Sequence, residues 1–238
     1  KWVDLTHELS PETPHWYGFK PLEGKLLFDY REGTPDDMMA PMRCIQYSVA
    51  SQYGTHVDVP LHFWGDGRDM SKITVKELVY PLVVVDKSKE CAENAEFTMT
   101  VADLEKWESE NGRIPEGAFV AFRSDWHKKS NLDNPDESGN PHYPGWSVDA
   151  IKWLVEERNI GAIGHEPADT DPSYVTTRED AYPYPGEQYI LETDRIQIEV
   201  MRNLDQVPAV GAMIVCAFPK LKDGTGFPAR CFAICPED

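Results

Sequence analysis

The sequence predicts a mixed α/β domain, and three observations support this prediction. Apolar runs of strand length alternate with only a few helical segments along the chain. Two of those helical segments have clear start and stop signals. No stretch has the composition of an interdomain linker, so we assign residues 1–238 to a single domain. A domain of this length can bury a sizeable core without disulfides.

The predicted elements follow from local patterns. Strand-like apolar runs lie at 44–50, 78–85, 118–122, 161–163, 196–201, 212–218 and 229–234. Helices are predicted at Val101–Asn111 and Val148–Arg158, where Thr100 and Ser147 are suitable N-caps and Gly112 follows the first helix. A further short helix is predicted at 187–193.

Two polar segments rich in proline and glycine, at 130–145 and 169–186, interrupt these elements. Both are predicted to be long loops. Loops of this length in a compact domain commonly form lids or binding surfaces.

The charge balance limits the kinds of partner. The chain has 23 Lys and Arg residues against 41 Asp and Glu residues, a formal net charge of −18. This charge opposes binding to nucleic acid and to anionic membranes, because both are polyanions. No run of about 18 apolar residues occurs, so no membrane-spanning helix is predicted. A small-molecule substrate is the partner we expect.

The five cysteines are poor candidates for a disulfide framework or a zinc finger, because their number is odd and no CxxC spacing occurs. Cys216, Cys231 and Cys235 lie in apolar strand-like runs and are expected in the core. This usage favours a cytoplasmic protein. Because the sequence begins at Lys1, an exported form whose signal peptide has been removed stays open.

The segment from Gln52 to Phe63 concentrates the residues that carry chemistry. His56 and Asp58 are two positions apart, so on an extended chain their side chains point to the same side. Pro60 prevents a continuing helix, which excludes the helical arrangement of two zinc-binding histidines. The segment is therefore predicted to be a strand end followed by a loop.

Such a set of side chains suits a divalent metal ion. Imidazole suits zinc and other transition metals, whereas carboxylate and amide oxygens suit harder ions, so manganese and zinc are the leading candidates. The alternative is that these are ordinary turn residues whose histidines are hydrogen-bonded in the fold. Neither a Gly-x-Ser-x-Gly motif nor a phosphate-binding glycine motif occurs, which leaves metal-dependent hydrolysis without a strong enzymatic rival.

The segment resembles the signature His-x-Gly-Thr-His-x-Asp-x-Pro-x-His of the cyclase family, which includes bacterial kynurenine formamidases and isatin hydrolases. The similarity extends in order over nearly the whole chain. It includes Asp4 to His7, Pro81 to Val84, Gly164 to Pro172, Glu199 to Pro208 and Gly226 to Arg230. The resemblance implies a swivelling β/β/α fold with a mixed sheet, a divalent metal and hydrolysis of an amide, cyclic imide or lactone bond. It also implies a homo-oligomer, either a dimer or a tetramer.

The resemblance also implies roles for individual residues. His56, Asp58 and the late carboxylate Glu199 match metal ligands, and His62 matches the catalytic histidine. Gln52 replaces the first signature histidine, and its amide oxygen is a neutral donor that can still bind a metal.

The histidine that binds a second metal in the family falls at Glu187 or Gln188 in this sequence. We therefore expect one metal ion, or one ion and a second weak oxygen-rich site. Glu187 is also a candidate for substrate contact.

His165 and Glu166 follow a predicted strand and open a loop, which is a common place for site residues. They are candidates for a catalytic role beside the metal, and the alternative is a loop histidine with a solvated glutamate. Trp16, Phe63 and Trp64 are candidates for stacking on an aromatic substrate, and core or lid packing is the alternative.

The function predicted from these residues is metal-dependent hydrolysis of a small, aromatic molecule. Water activated by the metal attacks the carbonyl group, and His62 is the general acid and base. A metal-dependent binding protein of the same fold without turnover is the alternative, because Gln52 and Glu187 depart from the family pattern. A structural domain without a metal is a third interpretation.

Overall fold

The computed structural model describes residues 1–29 and 42–237. Its strands are β1 (Trp2–Asp4), β2 (Glu23–Phe28), β3 (Cys44–Ser48), β4 (His56–Asp58), β5 (Val79–Asp86), β6 (Thr98–Met99), β7 (Phe119–Arg123), β8 (Gly145–Trp146), β9 (Ala162–His165), β10 (Ile196–Glu199), β11 (Ala212–Ala217), β12 (Gly226–Pro228) and β13 (Arg230–Ile234). Its α-helices are α1 (Ser88–Glu93), α2 (Val101–Asn111), α3 (Val148–Arg158), α4 (Ser173–Thr176) and α5 (Pro185–Glu192).

Nine strands form one mixed sheet in the order β1-β13-β11-β5-β7-β9-β10-β4-β12. Neighbours from β5 to β10 are parallel, whereas β4 and β12 at one end and β11, β13 and β1 at the other pair antiparallel. This arrangement confirms the predicted mixed α/β class.

The central strands are buried on both faces, as parallel strands generally are. In β5, Leu82 and Val84 belong to one apolar cluster, while Val83 and Val85 belong to another that includes residues of α2, α3 and α5. The first cluster also contains Val3 of β1, from the opposite end of the sheet to β4. The sheet therefore curls around this cluster.

The two capped helices are confirmed with the predicted bounds. The Thr100 hydroxyl accepts the Asp103 N–H in a capping box, and the Ser147 hydroxyl accepts the Ala150 N–H. The third predicted helix begins two residues earlier than expected, at Pro185, because proline is well suited to the first helical position.

Several predictions need correction. The strand predicted at 196–201 ends at Glu199, because Val200 has a positive φ of 53° and breaks the extended conformation. The short elements β1, β2, β6, β8, β12, α1 and α4 were not predicted. The elements of two to four residues are too short to show a hydrophobic period, and α4 lies within a segment predicted to be loop. The six residues of β2 are all exposed, and in α1 only Cys91 is buried, so neither element shows a buried apolar pattern.

All five cysteines are free thiols, and Cys216, Cys231 and Cys235 lie in the core as expected. In the part of the chain that the structure describes, no helix is long and apolar enough to cross a membrane.

Candidate metal centre and active site

The ladder between β4 and β10 assembles the candidate metal centre. Its antiparallel register places His56 opposite Glu199 and Asp58 opposite Gln197. Because alternate residues of a strand share a face, all four side chains point to the same side of the sheet. The His56 Nε2 atom lies 3.4 Å from Asp58 Oδ2 and 3.4 Å from Glu199 Oε2.

The turn before β4 fixes the orientation of the His56 ring. Gly54 has a positive φ of 64°, and a Cβ there would lie 2.7 Å from the Thr13 side chain, so glycine is required. The Gly54 carbonyl is 2.8 Å from His56 Nδ1. When the ring is neutral we assign its proton to Nδ1, which donates this hydrogen bond, so that the Nε2 lone pair faces the two carboxylates.

Thr55 ties the start of β4 to the end of β10. Its hydroxyl donates to the Val200 carbonyl at 2.6 Å and accepts the His7 N–H at 3.0 Å. Val200 is a β-branched residue with a positive φ, a conformation of high energy that surrounding contacts must hold. The Thr55 contact therefore helps to fix the backbone beside Glu199.

The donor set of this centre fits a divalent cation. His56 Nε2 is buried and has no hydrogen-bond partner in the described residues; the same holds for Asp58 Oδ1, on the side of this carboxylate that faces His62. His56, Asp58 and Glu199 are all buried, and their ligand atoms lie within 4.8 Å of one another. A nitrogen lone pair and two carboxylates facing one another are unfavourable without a cation between them.

A second group of possible ligands shares Asp58 with the first. His62 Nε2 lies 3.8 Å from Asp58 Oδ1 and 3.8 Å from Glu187 Oε1. A turn at Pro60–His62 returns the chain over Asp58 and so positions His62. The first group uses Oδ2 of Asp58 and the second uses Oδ1, so this carboxylate lies between the two groups.

Asp171 positions Glu187 at the start of α5. Its carboxylate accepts the N–H groups of Gly186, at 2.9 and 3.0 Å, and of Glu187, at 3.1 Å. An anion is favourable at a helix N-terminus. A Cβ on Gly186 would lie 2.8 Å from an Asp171 oxygen, so glycine permits this close approach. The contact directs the Glu187 side chain towards Asp58 and His62.

Gln197 contacts carboxylates of both groups, and it was not among the site residues predicted from the sequence. Its Nε2 atom lies 3.2 Å from Asp58 Oδ2, 3.1 Å from Glu187 Oε1 and 3.1 Å from Glu199 Oε1. The Thr170 hydroxyl donates to Gln197 Oε1 at 2.7 Å, which fixes the amide orientation. One feature of the sequence could have revealed Gln197. It lies two residues before Glu199 in a predicted strand, so its side chain is expected on the same face as that of Glu199.

We expect Gln197→Leu to weaken metal binding by about 10–100-fold, the usual effect of removing a residue that orients metal ligands. The leucine cannot donate to the carboxylates, so they repel one another and lose their arrangement. Calorimetric titration of metal-free protein with manganese measures the change. Gln206→Leu, at an exposed position in another turn, is the control. Equal affinities for the two variants would contradict this role.

The electrostatics reflect the crowding of acidic groups. Burial raises the pKa of Asp58, but the charges of His56 and His62 outweigh this effect and lower it to about 2. Burial, together with the neighbouring Glu199 and Asp58 charges, raises the pKa of Glu187 well above its usual value. Burial lowers the pKa of His56, yet the adjacent carboxylates hold it well above its usual range. The centre therefore favours bound positive charge.

A cavity of about 220 Å³, here called the reaction pocket, opens onto the metal centre. His56, His62, Glu187 and Glu199 line it. Its other walls include Trp16, Phe63 and Tyr184, so the structure brings two of the three predicted aromatic residues to the site. Four of the residues that line this cavity were not predicted from the sequence: His15, Phe19, Asp169 and Tyr184.

Trp64 lies outside the wall of the reaction pocket. Its side chain is 36% exposed, and its backbone N–H donates to Pro60 in the turn that positions His62. Consecutive residues of this tight turn point in different directions, so Phe63 enters the pocket and Trp64 faces the surface.

The pair His165 and Glu166 divides between two environments. His165 Nε2 lies 3.2 Å from Glu199 Oε1, so His165 is beside the metal centre. Glu166 points away from it, because successive residues at the end of β9 face opposite sides. Its buried carboxylate accepts hydrogen bonds from Ser124, Trp126 and His127. Glu166 therefore stabilises the 124–127 turn and does not line the reaction pocket.

Gln52 lines the reaction pocket, but its amide has protein partners. The Ser51 hydroxyl donates to its Oε1, and its Nε2 donates to Thr225 at 3.3 Å. Gln52 thus lies in the same pocket as the candidate metal centre. To bind a metal ion through Oε1, it would have to share or break its hydrogen bond with the Ser51 hydroxyl.

Comparisons with known proteins agree with this geometry. The Cyclase family model matches residues 3–172. Isatin hydrolase from Roseibium aggregatum is 32% identical over 254 aligned residues, which cover 99% of this chain and 92% of that protein. The structure of isatin hydrolase A from Labrenzia aggregata bound to benzyl benzoate has a TM-score of 0.89 and 34% identity, covering 100% of this chain and 94% of that one.

A further structure, of an isatin hydrolase bound to the product analogue thioisatinate, has a TM-score of 0.88 and 29% identity, covering 100% of this chain and 93% of that one. These matches extend over both ends of the curled mixed sheet and confirm the cyclase-like fold. With this similarity over its full length, the chain belongs to the Cyclase family.

Proposed function

We propose that the chain hydrolyses an amide, cyclic imide or lactone bond in a small aromatic molecule, with His62 as general acid and base. The observation that carries this proposal is the position of His62. It lies at the edge of the reaction pocket, beside the two carboxylates Asp58 and Glu187 and next to the candidate metal centre. The same pocket has aromatic walls that suit a flat substrate.

The residues that hold the ion are His56, Asp58 and Glu199, with Gln52 as a further candidate ligand. A divalent ion, manganese or zinc, would supply Lewis acidity that activates water and polarises the carbonyl group of the substrate. Asp58 and Glu199 balance its positive charge. Glu187 and His62 offer a second, weaker position beside the first.

His62 performs the proton transfers in this proposal. Imidazole accepts and donates protons near neutral pH. In the hydrolysis the oxygen of water bonds to the acyl carbon, and the C–N or C–O bond breaks. His62 takes a proton from the attacking water and returns it to the leaving nitrogen or oxygen. The ring of Phe63 meets the His62 ring edge-on at 4.8 Å and limits its rotation.

The relatives support a cyclic amide as the first substrate to test. Isatin is a flat bicyclic lactam, and the similar proteins are named isatin hydrolases. Phe63 and Trp16 provide apolar surfaces on which a ring system can stack. We therefore place isatin-like lactams ahead of formamides and lactones.

The decisive experiment is a substrate screen with protein loaded with manganese or zinc. Isatin, a formanilide and an aryl lactone are incubated with protein, and ring-opened or deformylated products are identified by mass spectrometry. We expect product formation that stops when the metal is removed and resumes when it is restored. Binding of these compounds without product release would instead support a metal-dependent binding protein.

A further inference from the structure

A second cavity adjoins the reaction pocket. It has a volume of about 430 Å³ and shares Trp16, Asp169 and Tyr184 with the wall of the reaction pocket. A ligand whose reacting group lies near His62 can therefore extend past Asp169 into this space. We call it the aromatic cavity, because Trp16, Tyr17, Tyr143 and Tyr184 all line it.

Two carboxylates of the aromatic cavity have unused acceptor capacity. Asp169 Oδ2 accepts the Tyr143 hydroxyl at 2.5 Å, but Oδ1 has no donor among the described residues. The Asp133 carboxylate has no hydrogen-bond or ion-pair partner among those residues. Burial raises the pKa of Asp133, and burial together with the Glu199 charge raises that of Asp169 to about 7.

The described lining of the aromatic cavity supplies no compensating cation. Among the described residues that line the aromatic cavity, none is lysine, arginine or histidine. The cavity therefore has a negative potential that its apolar walls screen poorly. This potential opposes an anionic substituent and favours a cationic one.

The composition of the walls favours an organic cation over a metal ion. Asp133 and Asp169 belong to neither group of described residues whose atoms are close enough to bind a metal. Aromatic faces attract ammonium groups through the ring quadrupole, and a carboxylate adds a charge-assisted hydrogen bond. Rings with nearby carboxylates are thus a suitable environment for an alkylammonium group.

We propose that the aromatic cavity is a substrate subsite that binds an ammonium group, between the rings of Trp16, Tyr17 and Tyr184 and the carboxylates of Asp133 and Asp169. This inference rests on the proposed hydrolase function and narrows it. The substrate carries its hydrolysable carbonyl in the reaction pocket and an amine-bearing arm in the aromatic cavity. Asp169 lies at the junction of the two cavities.

Binding of matched probes to the metal-loaded protein tests the subsite. The probes are 2-phenylethylammonium and 2-phenylethanol, which have similar size but differ in charge, and calorimetry measures their affinities. We expect the ammonium probe to bind about tenfold more tightly, in the range that cation–π and charge-assisted contacts provide. Equal affinities for the two probes would overturn the proposal.

Variants of Asp133 distinguish the subsite from the general negative charge of the chain. Asp133→Asn should lower the affinity for the ammonium probe by about fivefold to tenfold and that for the alcohol much less. Asp133→Glu should keep the preference. Glu137→Gln removes the same charge from an exposed position of the same loop, outside the cavity wall, and should leave both affinities unchanged. Equal effects of Asp133→Asn and Glu137→Gln would overturn the proposal.

The two proposals fail separately in these experiments. Probe binding does not require turnover, so an ammonium preference without hydrolysis of any test compound would refute only the hydrolase function. Hydrolysis of isatin without an ammonium preference would refute only the subsite. Thermal unfolding of each variant establishes that it is folded before its affinity is compared.

Discussion

The variants His56→Ala and Asp58→Ala should each lose the bound metal. Removing a residue that only orients metal ligands lowers metal affinity by up to roughly 100-fold. We expect a larger loss of metal affinity here, because His56 and Asp58 are candidate ligands themselves. His56 supplies the only nitrogen donor of the first group, and Asp58 contributes one oxygen to each group. Removing Asp58 therefore leaves no complete set of ligands in either position. Elemental analysis of purified, metal-soaked protein measures the loss.

Two further variants make this result specific. His142→Ala removes a partly exposed histidine whose charged contacts, Glu96 and Asp136, belong to neither group of ligands, and this variant should retain full metal content. Glu187→Gln removes a ligand of the second group only. If wild-type protein holds about two ions per chain, this variant should retain one, and our preference for a single ion would be wrong.

A wild-type protein without metal, even after soaking with manganese and zinc, would contradict the metal centre. The buried His56 Nε2 would then have to be protonated and paired with Asp58 and Glu199 as a structural cluster. In that case His56→Ala would reduce stability, because it removes the positive charge that faces the two buried carboxylates of Asp58 and Glu199.

His62→Ala should reduce kcat by about 10²–10⁴-fold while the first metal position stays occupied. The side chain is partly exposed to the pocket and lies beside Asp58 and Glu187, but His56, Asp58 and Glu199 form a complete group without it. Steady-state kinetics and metal content, measured on the same preparation, test both parts of the expectation. A loss confined to kcat identifies a group that acts in the chemical step.

His15→Ala is the matched control for this prediction. His15 lines the same pocket, but its ring stacks on Tyr53 at 4.3 Å and its Nδ1 bonds to the Thr13 carbonyl. We expect a smaller effect, mainly on KM. Loss of metal in His62→Ala would show that His62 is a ligand of a second ion, because it also belongs to the second group. Proton transfer would then need another residue.

The sequence was informative wherever local physical chemistry decides the structure. The Thr100 and Ser147 caps specify the start of α2 and α3, because a side-chain oxygen satisfies N–H groups that the first turn leaves free. The spacing of His56 and Asp58 was enough to place both side chains on one face of an extended segment. Pro60 was enough to exclude a helical metal site.

Local patterns failed where a short element is stabilised only by its neighbours. The three-residue strands β1 and β12 exist because β13 and β4 supply their hydrogen-bond partners. A sequence window of three residues carries no period that could reveal this pairing. The hydrogen-bond donors of the Glu166 carboxylate likewise come from the 124–127 turn, a distant part of the sequence.

By itself, the sequence determined the fold class and the capped helices, and it identified His56 and Asp58 as candidate metal ligands. Only the tertiary structure decided which distant residues join that group. The register of β4 against β10 brings Glu199 and Gln197 to His56 and Asp58, and the contact of Asp171 with the start of α5 brings Glu187 to His62. A strand register and the docking of a helix depend on packing across the whole domain, and no local spacing of residues contains that information.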